Sequence, residues 1–275
     1  MWWLILISCD SACPEGQIRE PDGCVDYTPT DPVPAEGVWQ PAPGTAWQWQ
    51  LQGAVDTSLD VEMVDIDLVD PPDATFEALQ ADGRVVTCYF SAGTWEDWRD
   101  DVGDVPPEAI GDRLPEWEGE SWWDVRHPAV REVLEGRLDL AVARGCDAVE
   151  PDNVDGYDNR NGLALTATEQ LAFNRWIADE AHTRGLSVGL KNDLGQLDAL
   201  EPWFDWALNE ECVAFNECDV YQTFLSQEKA VFHVEYVDDW ADAPALAEEV
   251  CGAAPGLDTL IKLWDLTPER LACED

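Results

Sequence analysis

Eight short apolar runs recur along this chain, and segments with helical apolar spacing separate them. The runs are Ala46–Leu51, Glu62–Leu68, Val85–Phe90, Asp147–Asp152, Ser187–Asn192, Trp206–Glu210, Val231–Tyr236 and Thr259–Trp264. Val130, Val133, Leu134, Leu138 and Ala141 carry a helical period, as do Leu171, Trp176, Ile177 and Ala181. Thr166-Ala167-Thr168-Glu169 supplies a capping-type start to the second of these helices. Strands that alternate with helices call for a parallel sheet. Eight such units in 275 residues predict a (β/α)8 barrel of the TIM type, which runs to roughly 250 residues. An open doubly wound sheet is the alternative. No Gly-x-Gly-x-x-Gly follows the first run and no phosphate-loop lysine occurs, so no nucleotide cofactor is expected.

Barrel strands are buried on both faces and should be apolar along their length. Here the C-terminal ends of the runs are polar. They carry Gln48 and Gln50, Asp65 and Asp67, Ser91, Asp152 and Asp155, Lys191 and Asn192, then Asn209, Glu210 and Glu211. Glu235 and Tyr236 end the seventh run, and Lys262 and Trp264 the eighth. That end of a barrel holds active sites, so the polar groups together predict one. The stretch Glu150–Asn159 is the densest part of it. Glycosidic cleavage needs one carboxyl to protonate the leaving oxygen and one carboxylate to attack carbon or activate water. Asp152 and Glu210, from the fourth and sixth strands, are the expected catalytic pair. Asp155, Asp158 and Glu235 are alternative partners. The spacing Asp152-Asn153-Val154-Asp155-Gly156 does not fit a calcium-binding helix–loop–helix, and no metal is expected. No Gly-x-Ser-x-Gly nucleophile turn occurs.

Residues 1–8 are apolar and too few to span a bilayer, which needs about 20. They read as the end of a signal peptide. Leu6-Ile7-Ser8-Cys9 resembles a lipoprotein cleavage site and predicts a lipid anchor at Cys9. Residues 9–36 are rich in Pro, Asp, Gly and Thr and read as a flexible tether with one disulfide loop. The folded domain is expected over 37–275. With Cys9 set aside, eight cysteines remain, compatible with four disulfides in an oxidising compartment. Local pairs are plausible for Cys13–Cys24, Cys212–Cys218 and Cys251–Cys273, which leaves Cys88 and Cys146.

Lys and Arg number 15 against 58 Asp and Glu, a net charge of −43. Such a chain lacks the cations that bind nucleic acid. The acids are spread along the whole chain, which fits a solvated acidic shell. An acidic cleft for a polycation is the sharper alternative. Fifteen Trp are present, most expected in the core. Trp49, Trp122 and Trp264 lie near strand ends and are candidates for stacking on sugars.

Five ordered blocks carry a family resemblance. They are Cys88–Arg99 (CYFSAGTWEDWR), Glu150–Tyr157 (EPDNVDGY), Gly189–Asn192 (GLKN), Asn209–Cys212 (NEEC) and Val231–Tyr236 (VFHVEY). Together they resemble the endo-α-1,4-polygalactosaminidase family, glycoside hydrolase family 114, over about residues 37 to 265. The resemblance implies a (β/α)8-like barrel and endo-hydrolysis of α-1,4-linked galactosamine polymers. It also implies Asp152 and Glu210 as the catalytic residues, the same pair that the strand ends pick out. Glu211 departs from the pattern, where a neutral residue such as Gln is expected. A deacetylated galactosamine polymer is cationic, so Asp65, Asp67, Asp155 and Glu235 are candidates to hold its ammonium groups. Tyr157, Lys191, Asn192, Tyr236 and Trp264 are expected to line subsites with them. The expected protein is a monomeric, secreted or surface-anchored glycoside hydrolase whose partner is a polysaccharide. The alternatives are a surface carbohydrate-binding barrel without turnover and a hydrolase of a different amino-sugar polymer.

Overall fold

The computed structural model describes residues 12–20 and 23–273. The signal segment 1–8 and Cys9 lie outside the described residues. Eight strands build the frame: β1 (Trp47–Gln50), β2 (Met63–Asp67), β3 (Val85–Ser91) and β4 (Ala148–Asp152), then β5 (Ser187–Lys191), β6 (Trp206–Glu210), β7 (Val231–Val237) and β8 (Asp258–Leu263). Each pairs in parallel with the next, from β1 through β8. All eight coincide with the apolar runs of the sequence to within two residues. The short strand Leu271–Ala272 adds to β8 in antiparallel fashion. The sheet curls into a (β/α)8-like barrel.

Helices cover its outer face unevenly. The main ones are α1 (Asp73–Ala81), α2 (Pro128–Arg144), α3 (Ala167–Thr183) and α4 (Ala243–Val250). In α2, Pro128 opens the first turn, His127 Nδ1 accepts the Ala129 N–H, and Gly145 closes the helix at φ 72°. In α3 the Thr166 hydroxyl accepts the Glu169 N–H, and the Glu169 carboxylate accepts the Thr166 N–H. That is the capping box expected from the sequence. The β1–β2 connection has no helix, unlike a regular β/α unit. Its turn is held by the Gln50 side chain, which donates to the Gln52 and Ala54 carbonyls and accepts the Asp56 N–H. After β6 the helices shrink to short turns, Cys212–Phe215 and Gln222–Leu225. Between β3 and α2 an antiparallel sheet is inserted, made of Thr94–Glu96, Ile110–Arg113 and Glu120–Trp123.

Alternation along the strands explains the barrel's interior. At the N-terminal end, Trp47, Met63, Trp206 and Phe232 pack together, with the Trp47 and Phe232 rings 4.7 Å apart. One interior step further lie Asp65 and Glu150, both buried. A further step reaches Asp152, Lys191 and Glu210 at the mouth. The interior thus passes from aromatic to ionic along its axis. The two sheet ends meet through side chains rather than a strand ladder. Trp47 Nε1 donates to the Asp258 carbonyl at 2.8 Å, and Lys262 Nζ to the Thr267 carbonyl at 2.8 Å. Gln48 accepts from the same amine at 3.3 Å and donates to the Pro268 carbonyl at 2.8 Å.

The segment read as a free tether differs in its described part. Gln17–Glu20 and Gly23–Asp26 form a hairpin, with Cys13 bonded to Cys24. It docks on α3: the Gly16 N–H meets the Thr168 hydroxyl, and the Val33 N–H meets Asp179 at 2.8 Å. Polar side chains on that helix take up the segment's main-chain groups, which a Pro-rich composition does not reveal. Cys88–Cys146, Cys212–Cys218 and Cys251–Cys273 are also bonded.

Gly189 faces the barrel interior against Trp206, and a methyl group there would fall 2.3 Å from the indole. Gly189→Ala is expected to destabilise the protein by about 1–3 kcal/mol, read from denaturant midpoints with an unchanged slope.

Candidate active site

Three consecutive strands deliver the centre. β4 ends on Asp152, β5 on Lys191 and β6 on Glu210. The next residue in each case has positive φ: 59° at Asn153, 46° at Asn192 and 62° at Glu211. A left-handed residue turns the chain off its strand at once and leaves the preceding side chain at the rim. Asn tolerates this conformation well. Glu does not, so Glu211 holds local strain of the kind found at functional sites.

Lys191 is the hub. Its ammonium lies 3.2 Å from Asp152 Oδ1, 3.2 Å from Glu210 Oε2 and 3.0 Å from Glu150 Oε1. Two contacts to one nitrogen hold the nearest Asp152 and Glu210 oxygens within twice 3.2 Å of each other. Burial pulls the amine's pKa down, but the Asp152, Glu150 and Glu210 carboxylates push it up and prevail. The cation also sits 4.5 Å from the Trp49 ring centre. Asp152 further accepts the Tyr89 hydroxyl at 3.0 Å and the Asn153 N–H at 2.7 Å. Glu210 accepts the Tyr236 hydroxyl and, at 3.2 Å, the Asn192 amide. Both carboxylates are therefore fixed in orientation by one cation and two further donors.

They face a cleft of about 1000 Å³. Trp98, Trp117, Phe215 and Trp264 are 49%, 54%, 66% and 48% exposed, and all four line it. Among the described residues these are the large exposed aromatics. Exposed rings gathered on one groove are stacking surfaces. Trp264 is itself stacked on Tyr236, 4.2 Å between centres and 16° between planes. Asp155 and Glu120 are among the further carboxyls that line the cleft. Burial, reinforced by Asp152, pushes Asp155 up to about 6. Burial also pushes Glu120 up to about 7, against the hydrogen bond from the Thr94 hydroxyl.

The residues expected from sequence divide in two. Asp152, Glu210, Asp155, Lys191, Asn192, Tyr236 and Trp264 meet at the cleft, and Asp67 reaches it while paired with Arg99. Asp65 does not reach it, because it lies one interior step below Asp67 and is wholly buried. Nor does Glu235, since alternation turns it to the outer face. There it accepts the Val213 N–H at 2.8 Å and the Ala214 N–H at 3.3 Å, and contacts His233. It caps the turn that carries Phe215. Tyr157 hydrogen-bonds Asp193 behind the cleft wall. Trp49 and Trp122 do line the cleft wall, but both are buried, with Trp49 against the Lys191 ammonium. Sequence reasoning missed Glu150, Tyr89, Glu120 and Arg99. The two-residue period from Asp152 back to Glu150 was the available signal for the first. Cys212, Cys218 and His233 converge, but the two thiols are spent on their disulfide.

The glycoside-hydrolase family GH114 model matches residues 28–275. The crystal structure of Aspergillus fumigatus Ega3, in complex with galactosamine, superimposes with a TM-score of 0.82 at 40% identity. It covers 89% of this chain and 100% of that one. The glycoside hydrolase domain of PelA from Pseudomonas aeruginosa aligns with a TM-score of 0.64 at 13% identity, over 84% and 98% of the two chains, which speaks to the fold alone. A Methanocaldococcus jannaschii protein is 32% identical over 108 residues, 35% of this chain but 30% of that protein. The chain belongs to glycoside-hydrolase family GH114.

Proposed function

We propose that this chain cleaves α-1,4-linked galactosamine polymers internally, with Asp152 as nucleophile and Glu210 as acid and base. One observation carries the reading: both carboxylates meet one ammonium, each at 3.2 Å, and face one aromatic-lined cleft. The galactosamine bound to Ega3, at 40% identity, supports the substrate class. An open cleft with aromatics along its length suits a chain that passes through it. Ammonium groups on such a substrate would find Asp155, Glu120 and Glu211 along the walls.

The roles follow from the surroundings. Asp152 is the less exposed of the two, 19% against 28%, and takes a main-chain N–H that cannot rotate away. That suits a fixed nucleophile. Glu210 stands further into the cleft, where a leaving oxygen can meet it. In the first step an Asp152 oxygen attacks the anomeric carbon, the glycosidic C–O bond breaks, and the Glu210 proton passes to the leaving oxygen. In the second, Glu210 takes a proton from water, which attacks the same carbon and frees Asp152. The shared Lys191 contact keeps the nearest oxygens within twice 3.2 Å of each other, which accommodates the ~5–5.5 Å separation of a retaining pair. Retention of the anomeric configuration is the outcome this proposal expects.

Placement outside the cell belongs to the same reading. Four disulfides suit an oxidising compartment. Lipid at Cys9 and a monomeric state complete it. Mass spectrometry of the mature N-terminus checks the lipid.

Asp152→Asn and Glu210→Gln are each expected to lower kcat on a deacetylated galactosamine polymer by on the order of 10²–10⁴-fold, with the fold intact by circular dichroism. Full activity in either variant removes that residue from the pair. Binding of the polymer by the native protein without new reducing ends would instead mark a non-catalytic barrel. A pH dependence follows as well. Asp155 and Glu120 are neutral below their raised values of about 6 and about 7 and become anionic above them. KM for the cationic polymer should therefore fall as pH rises through that interval, and Glu120→Gln should flatten the upper part of the fall.

A further inference from the structure

Beneath the mouth lies a second pair of carboxyl groups that the reaction does not touch. Asp65 on β2 and Glu150 on β4 are both fully buried. Their carboxyls face each other at hydrogen-bonding range. Neither Asp65 oxygen nor Glu150 Oε2 has any other partner, while Glu150 Oε1 lies 3.0 Å from Lys191 Nζ. Two buried carboxylates cannot face each other with both ionised, because like charges at contact in a dry interior repel strongly. A proton between them removes the repulsion and satisfies the orphaned oxygens.

We infer that Asp65 holds a proton and donates it to Glu150, so that Glu150 stays anionic and anchors Lys191 beneath the catalytic pair. Asp65 and Glu150 are then positioning residues. The chain of contacts runs from Asp65 to Glu150, to Lys191, and from there to Asp152 and Glu210. The inference rests on the proposed roles of those two residues and adds what holds their cation in place. Burial first, then the Glu150 charge, push the Asp65 carboxyl far up; burial raises Glu150 as well, but the Lys191 ammonium and the hydrogen bond from Asp65 draw it back down. The other titratable groups around the pair are Tyr89 on β3, Asp152 on β4, Lys191 on β5, Glu210 on β6 and Tyr236 on β7. Glu96 and Glu120 act on Tyr89 from the inserted sheet.

The function of the device is to divide the ammonium's field. With Glu150 anionic, part of the positive charge is compensated from below. Less of that field then falls on Glu210, which the first step needs in its protonated form. Without that anion, the whole field of Lys191 falls on Asp152 and Glu210.

Two readouts test this on the intact protein. The first needs no substrate. Infrared spectra taken above the raised values of Asp155, Glu120 and Asp193, about 6, about 7 and about 8, should show a protonated carboxyl band that is lost in Asp65→Asn. A band unchanged in that variant overturns the inference whatever the enzyme's substrate. The second is the pH profile of kcat/KM on the galactosamine polymer. Glu150→Gln should move its alkaline limb down by about one pH unit, a tenfold loss on that limb, with KM little changed. Asp65→Leu strands a buried carboxylate, which takes up a proton, and should move the limb in the same way. Asp65→Asn still donates to Glu150 and should restore the native profile. An alkaline limb that stays in place in folded Glu150→Gln overturns the inference. Loss of the band in Asp65→Asn together with an inactive native enzyme upholds the proton assignment and rejects the substrate reading alone.

Discussion

One ammonium group holds this active site together. Lys191 is buried at the end of β5 and reaches three carboxylates, on β4 and β6. A buried cation is stable only where anions compensate it, and buried anions only where a cation does. Each fixes the others, so the ends of three strands are tied into one unit. Removing the amine would leave several buried or half-buried carboxylates at close quarters. The strand ends are tuned to the same purpose: each site residue is followed at once by a left-handed one, which frees the rim for substrate.

The rest of the barrel can be read as support for that unit. Its N-terminal half is an apolar plug of Trp47, Met63, Trp206 and Phe232, which keeps water from reaching the polar layer from below. Gly189 makes room for the Trp206 indole on the same inner face. The seam between β1 and β8 is closed by Gln48 and Lys262 rather than by a ladder. Outside the barrel, Glu235 and the Cys212–Cys218 bond fix the turn that presents Phe215 to the cleft. The cleft wall opposite is supplied by the inserted sheet with Glu120 and by Trp98 and Trp117.

The frame was legible because parallel strands announce themselves as apolar runs. All eight were placed, and so was the capping box of α3. Asp152 and Glu210 were legible as mouth residues because each closes an apolar run with a charge. Asp65 and Glu235 show where that reasoning stops. Both sit near strand ends, yet one lies a layer too deep and the other faces outward, and only the phase of the alternation distinguishes them from mouth residues. Glu150 had the right phase and was passed over because it lies two residues short of the end. Glu120 and Trp117 come from an insertion with no barrel periodicity. The docked hairpin at 17–26 escaped because its hold on α3 consists of main-chain groups meeting Thr168, Glu169 and Asp179.

The acids behind the net charge of −43 are spread along the whole chain, but in the cleft they take a specific form. Asp155 and Glu120 are partly desolvated acids beside exposed rings, a combination that suits a sugar bearing an amine. The central claim remains the division of labour between two carboxylates that share one lysine. The most direct measurement is the intact mass of Glu210→Gln after incubation with a galactosaminyl oligomer carrying an aryl leaving group. Such a group departs without an acid, while the missing base stalls the second step. A glycosyl adduct that peptide mapping places on Asp152 is the expected result. An unmodified enzyme that releases product of inverted configuration would contradict it.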